Sequence, residues 1–520
     1  MTIETVEQRD LTGQRTSAAL IAQVRGSTLL LAGRGASLVL NLASQILTIR
    51  YLTQLDYGVL AYAFSLVELA SVGASFSLDK TLARFGAIYH EQRDTARFSG
   101  ALLLSFGVVL ILGLAFAGLL CAPGYWLSSG TSTDTTTGSI LMVLALLVPI
   151  NALSGVTVSS FTVLGHARIV MLRKQLLGPG LKFAFVIVAV SLDGGLTAIA
   201  WAWLIAGVCG LAADCVLMRR HILSDGMVQQ FTAAAPKLPM AAFFSYSWPL
   251  LISDSVFLVR GAVVVILLGW LDNTVAAGTF RAALPLARLN ELVTANFVLM
   301  FTPIVSRLFA QDRIGELAET HRRNTVWVKV LSFPIFATCV LLAGPLVVLM
   351  FGAEYAESAD VLAVLAVGYF VQAAFGLNSR LLKVLGCLRR VLCLDLLAAV
   401  FALALCLVLI PRFGAIGAAY AVAASTAAHA VLREVVMPNS IRQQSQLSSA
   451  RVESTVTLAL AAGVVVVRVV ANPGVALGSL LVVVLTGLVI AVNHRSLGVE
   501  SMFPELHRIR TMVVGRFVEK

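Results

Sequence analysis

Gly165-His166-Ala167-Arg168 and Gly386-Cys387-Leu388-Arg389 both fall where one long apolar run stops and another begins, at matching places in the two halves of the chain. Working outward at an offset of 220 to 221, Asp56-Tyr57-Gly58 falls on Ala276-Ala277-Gly278, Gly155 on Gly376, and Gly194 on Gly414. Glycine is frequent in membrane helices, so any single match is weak. Chance would scatter the offsets, whereas four separated places share one, which is the pattern of an internal duplication.

The duplicated material is apolar almost throughout. Of 520 residues, 58% are hydrophobic and 12% charged, with a mean hydropathy of +0.90. That charged fraction is about half the usual value for a soluble domain, and it excludes a disordered chain, which lacks apolar surface to bury. A spanning helix needs about 20 mostly apolar residues. Fourteen such stretches are predicted, at 27–50, 58–78, 99–121, 139–164, 175–192, 196–217, 246–269, 278–305, 326–350, 361–382, 390–410, 414–436, 454–471 and 475–493. The expected architecture is all-α and polytopic: an N-lobe of six spans (27–217), a linker (218–245), a C-lobe of six (246–437), and spans thirteen and fourteen (454–493) outside the duplication. Tails at 1–26 and 494–520 flank them. Six spans per repeat is an even number, so the halves enter the membrane in the same direction. Two such lobes would face one another around a central cleft, the usual place for a transported substrate.

Residues 1–26 mix both charge signs without an apolar core and cleavage site, which argues against a signal peptide. Orientation follows from the 38 Lys and Arg residues, because translocated short loops are poor in them. Thirty of them fall in one alternate set of segments: both tails and the loops of Lys80 and Arg84–Arg97, Arg168–Lys174, Arg219–Lys237, Arg307–Lys329, Arg380–Arg390 and Arg433–Arg451. The other set holds only Arg50, Arg281 and Arg412. Both termini are therefore expected in the cytoplasm. The net charge of +11 is a topology signal, and no nucleic-acid partner is expected.

Five cations fall within spans: Arg34, Lys182, Arg260, Arg288 and Arg468. A central charge costs about 2.5–3.5 kcal/mol on insertion scales, so each needs a reason. At the repeat offset Arg34 maps onto Asp254 and Glu68 onto Arg288, with signs exchanged. Two readings follow: mutual neutralisation as the pairs Arg34–Glu68 and Asp254–Arg288, or a shared role lining the cleft. Arg34, Asn41, Gln45 and Thr48 follow one helical stripe, and so do Arg281, Arg288 and Glu291. Arg260 and Lys182 have no opposite charge one turn away, so these two and Arg288 are candidates for an anionic ligand. Lys182 could equally snorkel to its helix end. The candidate lining is thus Arg34, Asn41, Lys182, Arg260, Arg281 and Arg288, with Glu68, Asp254 and Glu291 as charge partners or ion-coupling groups. Prolines 149, 179, 249, 285, 303, 334 and 345 within spans mark kinks.

Catalytic signatures are missing. There is no GxxxxGK[ST] loop, no HExxH and no GxSxG, and neither enzyme activity, a cofactor nor a metal is expected. The seven cysteines form no CxxC pair, so neither a zinc site nor a disulfide framework is indicated.

The stretch from Gly33 through Gln45-Ile46-Leu47-Thr48-Ile49-Arg50-Tyr51-Leu52 to Leu55-Asp56-Tyr57-Gly58, the basic segment after span two, and the Gly165 and Gly386 turns resemble the polysaccharide-exporter, Wzx-type branch of the multidrug/oligosaccharidyl-lipid/polysaccharide flippase superfamily. The resemblance covers nearly the whole chain. It implies a bacterial inner-membrane flippase that moves an undecaprenyl-diphosphate-linked oligosaccharide between leaflets by alternating access, for exopolysaccharide or O-antigen (lipopolysaccharide) biosynthesis. It also implies membrane lipids as partners, with a polysaccharide polymerase and chain-length machinery acting on the product. Wzx-type members have a cationic cavity, which Arg34, Arg260 and Arg288 could supply here, while Glu68 and Asp254 depart from a purely cationic lining. The alternative is a drug or organic-cation antiporter of the same superfamily, which would need an acidic cavity.

Overall fold

The computed structural model describes residues 33–128, 132–224, 236–438, 448–471 and 473–497. Among them every regular element is helical. Twelve helices are long and apolar enough to cross a membrane. One of these, Leu388–Val435, is two helices merged across Gly414 (φ 56°, ψ −133°), and helix 33–51 precedes them all. Among the described residues fourteen helical stretches thus answer to the expected spans, residues 27–32 of the first lying outside them, and the protein is a multi-pass membrane protein.

In chain order span one is helix 33–51, followed by Gln54–Glu91, Thr95–Ala122, Thr135–Val163, Arg168–Ser191 and Gly195–Arg220 as spans two to six. Met240–Leu271, Thr274–Ala310, Ile314–Leu341 and Ser358–Val384 are spans seven to ten. Spans eleven and twelve are the two parts of Leu388–Val435, and Glu453–Ala471 and Val475–His494 are spans thirteen and fourteen. The chain divides into two compact units, residues 1–255 and 256–520, and the division falls inside span seven.

The repeat is written in backbone devices. Thr53 caps the second span by accepting the Asp56 N–H at 3.2 Å, and Asn273, its counterpart in the second half, caps the eighth by accepting the Ala276 N–H at 2.8 Å. A side-chain acceptor there satisfies a helix donor that the lipid cannot. Gly165 and Gly386 have left-handed φ of 78° and 77°, which a side chain would oppose. The Gly194–Gly414 match needs a correction by one residue: the left-handed glycine in the first half is Gly195 (φ 64°). In both halves the end of the leading span touches this turn. Tyr51 Oη donates to Asp193 Oδ1 (3.0 Å) and accepts the Gly195 N–H (2.8 Å), and a Cβ on Gly414 would stand 2.7 Å from Asp272 Oδ2.

Proline acts in two ways. Pro149, Pro179 and Pro345 lie in the first turn of a helix that follows a break or bulge, where no N–H is required. Pro249, Pro285, Pro303 and Pro334 lie inside helices. Span eight breaks at Arg288, one turn beyond Pro285, and span seven carries a π-turn at Val259–Val263. Lipid gives helices no hydrophobic drive to associate, so packing holds them together. Phe336 stacks on Phe370 at 4.5 Å between spans nine and ten. Spans thirteen and fourteen pack on span nine, where Lys329 Nζ donates to Ser454 Oγ at 2.7 Å.

Span nine begins at Ile314, well before the expected residue 326, so Lys329 is a buried helical residue and not a loop cation. Arg173 is corrected likewise. It is buried on a π-turn, Leu172–Leu177, because an acid on the neighbouring helix holds it.

Candidate functional site

In the first unit Lys182 is half-buried against two aromatic rings. Its ammonium lies 3.7 Å from the Trp203 ring centroid and 5.2 Å from that of Phe64, two rings set edge to face at 4.9 Å. An aromatic face within this range stabilises a cation by about 0.5–2 kcal/mol. Arg34 is exposed on span one, Asn41 donates back to the Ser37 carbonyl at 2.7 Å, and Glu68 is half-buried.

Asp254, expected to pair with Arg288, is taken instead by span two. Ser77 Oγ donates to its Oδ2 at 2.7 Å and Lys80 forms an ion pair with Oδ1. Span two presents these groups because it breaks at Phe76 and Ser77, both with left-handed φ, and restarts at Leu78. The contact continues along span seven, where Thr81 and Ser247 share a 2.7 Å hydrogen bond and Arg84 lies 4.5 Å from the Tyr246 ring centroid. The sequence offset could not reveal this partner, because it aligns equivalent positions and not neighbouring ones.

A second buried group lies between spans four, five and six. Arg173 donates to both oxygens of Asp214, at 2.5 and 2.9 Å, while Ser154 Oγ donates to Asp214 Oδ2 at 2.9 Å. Asp214 is fully buried. This two-toothed geometry fills the acid's lone pairs as a buried charge requires.

The second unit gathers the remaining candidates into one network. Arg260 sits on the π-turn of span seven, where the extra residue per turn re-aims the side chain. It donates to Gln372 Oε1 at 3.3 Å and to His429 Nδ1. Gln372 Nε2 in turn donates to Glu291 Oε1 at 3.4 Å. His429 Nε2 donates to Asp395 Oδ1 at 2.9 Å, and Arg433 Nη2 donates to the same oxygen at 2.5 Å. Arg288, at the break of span eight, donates from Nε to Tyr369 Oη at 3.1 Å, and its guanidinium lies 5.8 Å from the Phe257 ring centroid. Arg281 is half-buried on the helix before that break, so the expected stripe through Arg281, Arg288 and Glu291 is interrupted at its middle residue.

Arg260, Arg288 and Arg433 thus stand with Glu291 and Asp395, three guanidinium groups to two carboxylates. Such an arrangement can bind an anion through forked N–H donors while the protein holds the rest of each guanidinium in place. Sequence reading found Arg260, Arg288 and Glu291 but missed His429, Arg433, Gln372 and Tyr369. The signal available was the one-turn spacing of His429 and Arg433, a basic pair facing Asp395 of the preceding span.

The family described as polysaccharide biosynthesis protein matches residues 46–360. No curated protein sequence matches the chain. Among solved structures, an inward-facing multidrug resistance MATE family transporter of the MOP superfamily is similar with TM-score 0.64 at 15% identity, over 81% of this chain and 99% of the other. Lipid II flippase MurJ, in an inward closed conformation, is similar with TM-score 0.62 at 14% identity, over 90% and 99%. A MOP superfamily transporter from Pyrococcus furiosus, described as having a binding pocket of reverse polarity, gives TM-score 0.54 at 16% identity, over 82% and 96%. With a match over more than half its length, the chain belongs to the polysaccharide biosynthesis protein family, and its fold is that of the MOP superfamily transporters.

Proposed function

We propose that this protein is a flippase for a lipid-diphosphate-linked oligosaccharide repeat unit, working by alternating access in the bacterial inner membrane with both termini in the cytoplasm, in exopolysaccharide or O-antigen synthesis. The observation that carries this reading is the cluster of guanidinium groups in the second unit, where Arg260, Arg288 and Arg433 stand with Glu291 and Asp395. A diphosphate and its sugars cannot cross hydrocarbon unaided, while the lipid tail need not leave it. Permanently charged, bidentate donors suit that head group. Family membership and a fold shared with a lipid II flippase support the same substrate class. Arg260 and Arg288 are the proposed head-group ligands. Arg34, Asn41, Arg281 and Lys182 are assigned to the remaining lining, with Glu68 and Asp254 as charge partners. Each six-span half acts as one lobe, and a polymerase with its chain-length machinery takes the product.

Deleting the gene should trap the lipid-diphosphate repeat unit on the cytoplasmic face and abolish surface polymer, and Arg260→Ala should reproduce this at normal expression. Unchanged glycolipid pools with intact polymer would reject the reading. Sensitivity to cationic dyes with polymer intact would favour the antiporter instead.

A further inference from the structure

His429 lies on span twelve, 3% exposed, between two guanidinium groups and one carboxylate. A guanidinium has only donors, so the ring's Nδ1 accepts from Arg260 and carries no proton. Nε2 then holds the proton of a neutral imidazole and gives it to Asp395 Oδ1. Arg433 donates to that same oxygen, and a second, permanently charged donor there favours the ionised carboxylate. A second proton can enter the ring only at Nδ1, the atom that Arg260 occupies.

We infer that His429 is a proton-binding site that decides whether Arg260 is held within the protein or presented to an anionic head group. Protonation sets N–H against N–H and cation against cation, so Arg260 must turn away while Gln372 Oε1, at 3.3 Å, still anchors its other nitrogen. Every charged or titratable group around the ring bears on this. Asp395 of span eleven favours the charged imidazole, whereas Arg260 of span seven and Arg433 of span twelve oppose it. One bond further out, through Gln372 of span ten, stands Glu291 of span eight, with Arg288 and Tyr369 beside it. An anion bound to Arg260 would offset the added positive charge. Proton and anion therefore bind together, each raising the other's affinity by the same factor. The inference rests on the lipid-diphosphate reading.

The test uses the full-length protein in lipid nanodiscs with a short-chain polyprenyl-diphosphate-linked N-acetylglucosamine. Its two phosphates each carry one fixed charge across the range from about pH 5.5 to about pH 8, where only imidazole among ordinary side chains titrates. Binding by the native protein should weaken by up to about tenfold per pH unit above the His429 titration, with uptake of up to one proton per probe bound, read as alkalinisation of a weakly buffered sample. His429→Gln can still accept from Arg260 and donate to Asp395, and it should bind with the weak high-pH affinity at every pH. Binding by the native protein that is independent of pH and takes up no proton overturns the inference alone, as does an unchanged pH dependence in His429→Gln. The absence of proton uptake by the native protein overturns the inference even where the variant fails to fold. No binding of the probe at any pH overturns the lipid-diphosphate reading itself, and the inference falls with it.

Discussion

Arg173 on span five grips both oxygens of Asp214 on span six, and in the second half Asp395 on span eleven meets Arg433 on span twelve at 2.5 Å, an ion pair between the fifth and sixth spans again but with the acid on the fifth. Each pair ties the fifth span of its half to the sixth. Arg173→Ala, which leaves a buried carboxylate alone, should cost about 3–5 kcal/mol. Arg173→Met with Asp214→Leu should recover most of that loss. Thermal unfolding of the detergent-purified protein checks both, and equal destabilisation of the single and double variants would contradict the prediction.

Gly261 gives Arg288 its room, because a Cβ there would stand 2.9 Å from Arg288 Nη2. Gly261→Ala should displace the guanidinium and lower polymer export while the protein still inserts and unfolds at its normal temperature. Tyr369→Phe removes the acceptor that holds Arg288 Nε. A hydrogen bond of this kind contributes about 1 kcal/mol, so export should fall by up to roughly fivefold. Complementation of a deletion strain, with polymer quantified against protein level, measures each.

Lys182, Trp203 and Phe64 should behave as one unit. Lys182→Ala and Trp203→Ala are expected to be non-additive by about 0.5–2 kcal/mol in a double-mutant cycle on thermal stability. Additive losses would mean that the ammonium owes nothing to the ring.

Lys80 and Asp254 fasten the leading half of span seven to span two. Lys80→Asp or Asp254→Lys alone sets like charges together and should impair polymer export, whereas the two combined should restore much of it. Failure of the double variant to exceed either single one, at equal expression, would argue against a direct pair.

What the sequence disclosed and what it hid have physical reasons. The spans were legible because crossing hydrocarbon imposes a length and an apolar composition that no tertiary contact can waive. The duplication was legible because caps and left-handed turns, such as Thr53 with Asn273 and Gly165 with Gly386, constrain residue type locally. Charge pairing was not. Arg173 finds Asp214 on the next span but one turn of packing decides it, and Asp254 reaches back past several spans to Lys80. Such choices depend on which helix faces lie together, and periodicity within one helix does not carry that. The break at Arg288 and the π-turn at Arg260 further rotate side chains away from where an ideal helix would put them.

The exchanged ion pairs also set the grain at which this protein can be recombined. Each of these two pairs closes within its own half, whereas Lys80 and Asp254 join span two to span seven, so a half taken from a relative must bring a matching partner for that third pair. Grafting span five in place of span eleven would remove Asp395 and leave Arg433 without its acid, and grafting span twelve in place of span six would remove Asp214 and leave Arg173 without its own. Recombination must then keep each fifth helix with its own sixth, and span two with span seven.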